Sequence, residues 1–122
     1  MPTMDERPPI WVGHVAMVVS DPAQSSDWWE GIGLRRIHRG ADISILELRG
    51  GTHLLLFPGE PEGGPAPFDC MVDDVDATHA SFVARNLAPD AIVRGEIHDQ
   101  FVVRDPDGYE VQFSNSHVEG PV

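Results

Sequence analysis

The chain has 122 residues and a single cysteine, Cys70. No disulfide can close within it, and a fold without covalent staples suits a reducing cytoplasm, the expected location. Long hydrophobic runs are also missing. Nothing approaches the roughly 20 consecutive apolar residues of a membrane-spanning helix, so no membrane partner is expected. The opening MPTMDERPPI holds acids and prolines where a secretory signal would place a basic stretch and then an apolar one. Basic side chains are scarce: 8 Lys and Arg stand against 20 Asp and Glu, a formal charge of −12. Such a field repels phosphate backbones, which excludes nucleic acid as an expected partner. It attracts small cations, although acidity also serves solubility alone.

What is present fits one globular domain. Hydrophobic residues make up 41% of the chain, and this length can bury a core without help. Val12 to Ser20 is a β-rich apolar run broken by Asp21-Pro22, where Asp21 suits an N-cap and proline a first helical turn. The helix is expected to run to about Gly31, with Gly33 as its stop. Strands follow at about Leu34–Arg39 and Ile43–Arg49. Gly50-Gly51 marks a hairpin into a strand over Thr52–Phe57. The breaker-rich segment 58–65 is predicted to form neither helix nor ladder. Phe68–Val72 then reads as a strand, Val75–Leu87 as a helix, and Ile92–Glu96 and Gln100–Arg104 as strands. Asp105-Pro106-Asp107-Gly108 is a turn before a last strand, Tyr109–Phe113, and the tail to Val122 carries little pattern.

The order β-α-β-β-β thus occurs twice. An offset of 53 residues places Val19 on Val72, Asp21 on Asp74, Trp29 on Phe82 and Leu34 on Leu87. An offset of 56 places Gly50-Gly51 on Pro106-Asp107 and Phe57 on Phe113. The predicted fold is therefore α+β: a single domain of paired βαβββ modules, 11–58 and 67–114, joined by a linker over 59–66. One helix covers only one face of each sheet, so the other faces are expected to curve around a cup.

Several segments carry a family resemblance: Gly13-His14-Val15 with Asp21 seven residues after the histidine, and Trp28-Trp29-Glu30-Gly31-Ile32-Gly33-Leu34 at the helix end. Val72-Asp73-Asp74-Val75-Asp76-Ala77 and Asp105-Pro106-Asp107-Gly108-Tyr109 are the most telling. Over almost its whole length the chain resembles the vicinal-oxygen-chelate superfamily, which includes glyoxalases, bleomycin-resistance proteins and extradiol dioxygenases. Metal-using members place ligands at up to four equivalent positions, in the first and last strand of each half. The resemblance carries these onto His14, Leu56, Pro67 and Gln112. Leucine and proline offer no side-chain lone pair, whereas a catalytic divalent ion takes three protein ligands. The resemblance thus implies a metal site that has been lost and no cofactor. The alternative is Zn, Ni, Fe or Mn held by His14 and Gln112 with Glu110 or Asp69.

Strand alternation adds neighbours to these positions. Glu110 accompanies Gln112, Asp69 and Met71 accompany Pro67, Leu54 accompanies Leu56, and Ala16 accompanies His14. Tyr109, Val111, Phe113, Phe68, Cys70 and Val72 are then expected under the helices. Trp28 and Trp29 point about 100° apart on their helix, so one belongs to the core, and Trp29 is assigned to ligand stacking. The expected ligand-binding set is His14, Leu54, Leu56, Asp69, Met71, Glu110, Gln112 and Trp29. Two carboxylates in a partly enclosed cup call for an arginine, a cationic ligand or a metal, unless they sit at a solvated rim. Cys70 is expected as an inert core thiol, and His38, His53, His79, His98 and His117 as solvated.

Two functions remain open at this level. One is metal-free binding of a small, largely apolar or cationic aromatic molecule, as in antibiotic sequestration. The other is a metal-dependent enzyme: a glyoxalase-type lyase, an extradiol dioxygenase or an antibiotic-modifying thiol transferase. A metal-free isomerase or lyase with His14 as base is a third variant. Exposed strand edges and aromatic surface are expected to be covered in a homodimer, with the cup formed within one chain or across two.

Overall fold

The computed structural model describes residues 6–116 and 120–121, so the expectations for His117 and most of the tail lie outside the described residues. Strand β1 (His14–Val19) leads into helix α1 (Pro22–Ile32), followed by β2 (Arg35–His38), β3 (Ser44–Glu47) and β4 (His53–Pro58). A 3-10 turn at Arg49–Gly51 joins β3 to β4. The second half runs through β5 (Gly64–Pro65), β6 (Cys70–Val72), α2 (Val75–Ala84), β7 (Gln100–Arg104) and β8 (Tyr109–Asn115). The first sheet has the order β1-β4-β3-β2, with β1 and β4 parallel and the other neighbours antiparallel. In the second, β8 has β7 antiparallel on one side and β5 and β6 parallel on the other. The architecture is α+β: two open, mixed sheets.

The two helices begin and end by the same chemistry, 53 residues apart. Asp21 Oδ1 accepts from the backbone N–H groups of Ala23 and Gln24, and Asp74 Oδ1 accepts from Ala77; these bonds satisfy amides left free at a helix start. At the far end of α1, Leu34 N–H bonds Trp29 O and Gly33 N–H bonds Glu30 O. At the end of α2, Leu87 bonds Phe82 O and Asn86 bonds Val83 O. Both are Schellman closures, and each needs a left-handed residue: Gly33 has φ +128° and Asn86 φ +61°. This closure stops α2 at Ala84, short of the expected Leu87.

Side chains at matching positions fill the two cores. Trp29 is fully buried beneath α1 with Met17, Val19, Leu46, Leu54 and Leu56 of the first sheet. Phe82 is buried beneath α2, edge-on to both Phe101 and Phe113. Val103, Tyr109 and Val111 complete that layer. Trp29 also stacks on Phe68, with ring centroids 5.6 Å apart, which joins the cores of the two halves. Trp29 is therefore a core residue and not the ligand-stacking one; Trp28, partly buried and edge-on to it, is the more accessible of the pair.

The repeat within the sheets runs at an offset of 57, not 56. The β3–β4 hairpin closes with Leu48 N–H on Thr52 O, and the β7–β8 hairpin with Asp105 N–H on Tyr109 O. Leu54 and Leu56 thus match Val111 and Phe113, all four buried. One residue of slip inverts a strand's faces. The expected inward placing of Leu54 and Leu56 is accordingly reversed: both point under α1, whereas Phe57, expected to match Phe113, lies on the open face, 39% exposed.

Two other segments differ from expectation. The supposed strand Ile92–Glu96 is reduced to one bridge between Val93 and Gln100. The chain turns tightly there: a Cβ on Gly95 would stand 2.6 Å from His98 O. Gly64-Pro65, placed in a linker without ladder bonds, pairs with Tyr109-Glu110. Positive φ at Gly63 and Gly64 (+66° and +67°) folds the chain onto β8, and proline is tolerated at a sheet edge.

The halves are also tied by polar contacts. The Tyr109 phenol donates to Val18 O at 2.7 Å and accepts from Glu62 N–H at 3.1 Å. Asp107 accepts from the Ser20 amide and hydroxyl. Arg85 donates to Gly31 O, and Arg49 pairs with Asp73.

Asp105 is buried, and its Oδ1 accepts from the N–H groups of Asp107 and Tyr109. Burial raises its pKa above the usual aspartate value against the pull of those bonds. The folded state thus penalises the charged form, and native stability falls as pH rises from the ordinary aspartate value through the raised one. Asp105→Asn removes that loss while keeping an acceptor. The Tm of Asp105→Asn relative to wild type should rise between pH 3 and pH 7, as measured by thermal unfolding. Tyr109→Phe leaves Val18 O and Glu62 N–H without their partner. It should lower the unfolding free energy by about 1–3 kcal/mol, read by urea denaturation at unchanged m-value.

Candidate functional site

Each helix seals one face of its sheet and leaves the other open. In the first sheet the strand register defines what stands on the open face. His14 pairs with His53, His53 with Glu47, and Glu47 with Arg35, so these four form a row across all four strands. The next row is Ala16, Leu55, Ile45 and His38, and beyond it Val18 stands beside Phe57. His14 and Ala16 are thus on the open face, as alternation from His14 requires. His53 joins them, although nothing in its sequence spacing marked it. The His14 and His53 ring centroids are 5.8 Å apart with planes tilted by 46°. His53 Nε2 lies 3.1 Å from Glu47 Oε2, and Arg35 donates to Oε1 of the same carboxylate. The contact with His53, followed by that with Arg35, holds the Glu47 carboxyl below its usual range.

The second sheet's open face gathers three of the expected residues. Asp69, Glu110 and Gln112 line an open cleft of about 470 Å³ whose other walls are Pro65 to Phe68 and Val102. β8 and β6 alternate as anticipated there: Tyr109, Val111, Phe113 and Cys70 are buried, while Glu110 and Gln112 are not. Met71 shares the open face through its pairing with Ser114 and is 53% exposed, but it does not line the cleft. The cation anticipated for the carboxylates is present beside one of them. Arg104 Nη2 stands 3.7 Å from Glu110 Oε2 while its Nη1 bonds Asp90. Asp69 is exposed and has no arginine partner among the described residues.

The remaining candidates take structural roles. Cys70 is buried, and burial, with Asp69 adding to it, pushes its thiol up to about 12, so almost no thiolate forms near neutrality. His79 is not free in solvent: its Nε2 lies 2.8 Å from Asp90 O and its ring is edge-on to Phe101. His38 is exposed and His98 half-buried.

A catalytic divalent ion does not fit the residues of one chain. Pro67 and Gln112 line the cleft of the second sheet, and His14 is not among its lining residues. The β4 residue beside it that matches Gln112 at an offset of 57 is Leu55. Among the described residues no three His, Cys, Asp or Glu side chains are placed to hold one metal.

The sequence profile of the Glyoxalase/Bleomycin resistance protein/Dioxygenase superfamily matches residues 11–113. No curated protein sequence matches the chain. Among solved structures it is similar to a lactoylglutathione lyase from Agrobacterium tumefaciens, with TM-score 0.74, 20% identity, and coverage of 90% of this chain and 96% of that one. It is also similar to TioX from Micromonospora sp. ML1, with TM-score 0.72, 21% identity, and coverage of 86% and 98%. Oxidase ChaP-H1 gives TM-score 0.69 at 14% identity, covering 91% and 99%. At these identities the structures speak for the fold. The profile match spans most of the sequence, and the chain belongs to the Glyoxalase/Bleomycin resistance protein/Dioxygenase superfamily.

Proposed function

We propose that this chain binds and sequesters a small, largely apolar, cationic aromatic molecule without a metal, and that it works as a homodimer. The observation that carries this reading is the cleft on the second sheet. Its volume of about 470 Å³ suits a small organic molecule, and its walls combine Pro65, Ala66, Pro67, Phe68 and Val102 with two carboxylates. Asp69 lacks a cationic partner among the described residues, and Glu110 shares Arg104 with Asp90 at a longer distance. A ligand cation resting on the apolar walls would supply the missing positive charge. The net charge of −12 favours its approach.

The dimer follows from what one chain leaves bare. Val18, Ile37 and Phe57 on the first sheet and Met71 on the second are large apolar side chains in solvent. A second copy meeting these faces about a two-fold axis would cover them and deepen the cleft. Superfamily membership also includes enzymes such as lyases and oxidases, so the metal content of the purified protein is the deciding control.

Titration with ethidium or acridine orange, followed by dye fluorescence, should show saturable binding that weakens with added salt. Glu110→Gln and Asp69→Asn should each weaken it about fivefold, the equivalent of about 1 kcal/mol for an exposed charge pair. Stoichiometric Zn, Ni, Fe or Mn in protein purified without tag or chelator would overturn the metal-free reading. A monomer by light scattering at 100 μM (roughly the concentration at which a weak dimer forms) would remove the dimer.

A further inference from the structure

The open face of the first sheet carries a second chemistry, built from residues that do not line the cleft just described. We propose that His53 is a base for metal-independent proton transfer, with Glu47 as its positioning residue, acting on a planar carbon acid that rests on the neighbouring apolar row. This goes beyond sequestration, since it assigns an activity and a different set of residues.

The hydrogen-bond roles in the row leave little freedom. Glu47 is ionised and can only accept, so the His53 nitrogen facing it must donate. Nε2 therefore carries the hydrogen, and in the neutral ring the lone pair resides on Nδ1. Glu47 cannot readily swing away. Its Oε2 takes His53 and its Oε1 takes Arg35, so both oxygens are occupied from strands on either side. A carboxylate that fixes a histidine tautomer also stabilises the imidazolium formed on proton uptake. His14 adds a second imidazole in the same row, its centroid 5.8 Å from that of His53.

The surroundings suit a flat, weakly polar substrate. Beside the polar row lie Ala16, Leu55 and Ile45, a strip of sheet surface that is apolar except for His38 on the edge strand. A ring seated there presents its edge to the histidines. The step is self-contained. The Nδ1 lone pair takes the proton, the C–H electron pair moves into the substrate's carbonyl or towards a leaving group, and the imidazolium later gives the proton up. No oxidant, reductant or metal enters the balance. An ion pair with no further use would be expected to contribute little on an exposed sheet. Here three of the four strands contribute to a contact chain that ends on a histidine whose neighbouring row is apolar.

The test uses 5-nitrobenzisoxazole, a planar carbon acid. A base removes its ring C–H proton, the electron pair forms the nitrile, the N–O bond breaks, and the coloured 2-cyano-4-nitrophenolate appears. Wild-type protein should exceed the same concentration of free imidazole, and EDTA should not change the rate. His53→Gln should reduce kcat/KM about 100-fold and Glu47→Gln about tenfold, with partial recovery in Glu47→Asp. Imidazole 1H–15N correlation spectra should show His53 as the Nε2–H tautomer in wild type and a mixture in Glu47→Gln, a readout that a merely structural glutamate would not move. A wild-type rate no higher than imidazole, an undiminished rate in folded His53→Gln, or an Nδ1–H tautomer in wild type would each overturn the proposal.

Discussion

The commitment of alternate residues to the space under each helix governs the rest of the molecule. Once Trp29 and Phe82 are buried beneath α1 and α2, the strands must offer them Met17, Val19, Leu54 and Leu56 in one half and Val103, Val111 and Phe113 in the other. Every residue between these is then turned the opposite way, whatever its chemistry. The open faces are what the cores leave over. Function in this fold is written in the positions that packing does not claim, which lets one scaffold host unrelated chemistries.

The two faces show how differently that remainder can be used. On the second sheet it collects Asp69, Glu110 and Gln112 around a cleft with apolar walls. On the first it draws a line of contacts from Arg35 through Glu47 and His53 to His14. Both arrangements arise from cross-strand neighbours, the pairs whose side chains meet on a sheet. Both join residues far apart in the chain: the cleft brings Asp69 to Glu110 and Gln112, and His14 and His53 are brought side by side by a parallel pairing that spans the whole first half.

Legibility in the sequence followed the strength of local signals. The helices could be placed because Asp21, Asp74 and Gly33 have short-range roles that need no tertiary context. The second half's cleft could be read because Cys70, Tyr109, Val111 and Phe113 alternate with polar residues, and the alternation fixes which side faces in; Phe68, expected under the helices with them, precedes the strand and instead lines the cleft and stacks on Trp29. Strand β4 offered no such phase. Leu54-Leu55-Leu56-Phe57 is apolar throughout, so either parity satisfies the pattern, and only hydrogen bonding to β1 and β3 decides between them. That ambiguity hid His53 and misplaced Leu54 and Leu56. Glu47 escaped notice for a related reason, since its importance lies in its partner across the hairpin. The adjacent tryptophans gave no local clue to which was buried; the match of Trp29 with Phe82 pointed to the core, but Trp29 was assigned to ligand stacking all the same.

The seam between the halves bears on how copies of this chain can combine. Gly64-Pro65 is laid into the ladder beside β8, and the Tyr109 phenol binds both the Val18 carbonyl of the first module and the Glu62 amide within the segment that joins the modules. A connector fastened in this way is a poor hinge. Exchange of a whole half between two molecules would first have to strip out those bonds and separate Trp29 from Phe68. Partners should therefore meet as finished folds and part again intact, with assembly governed by concentration and not by a slow, refolding-limited trade of segments.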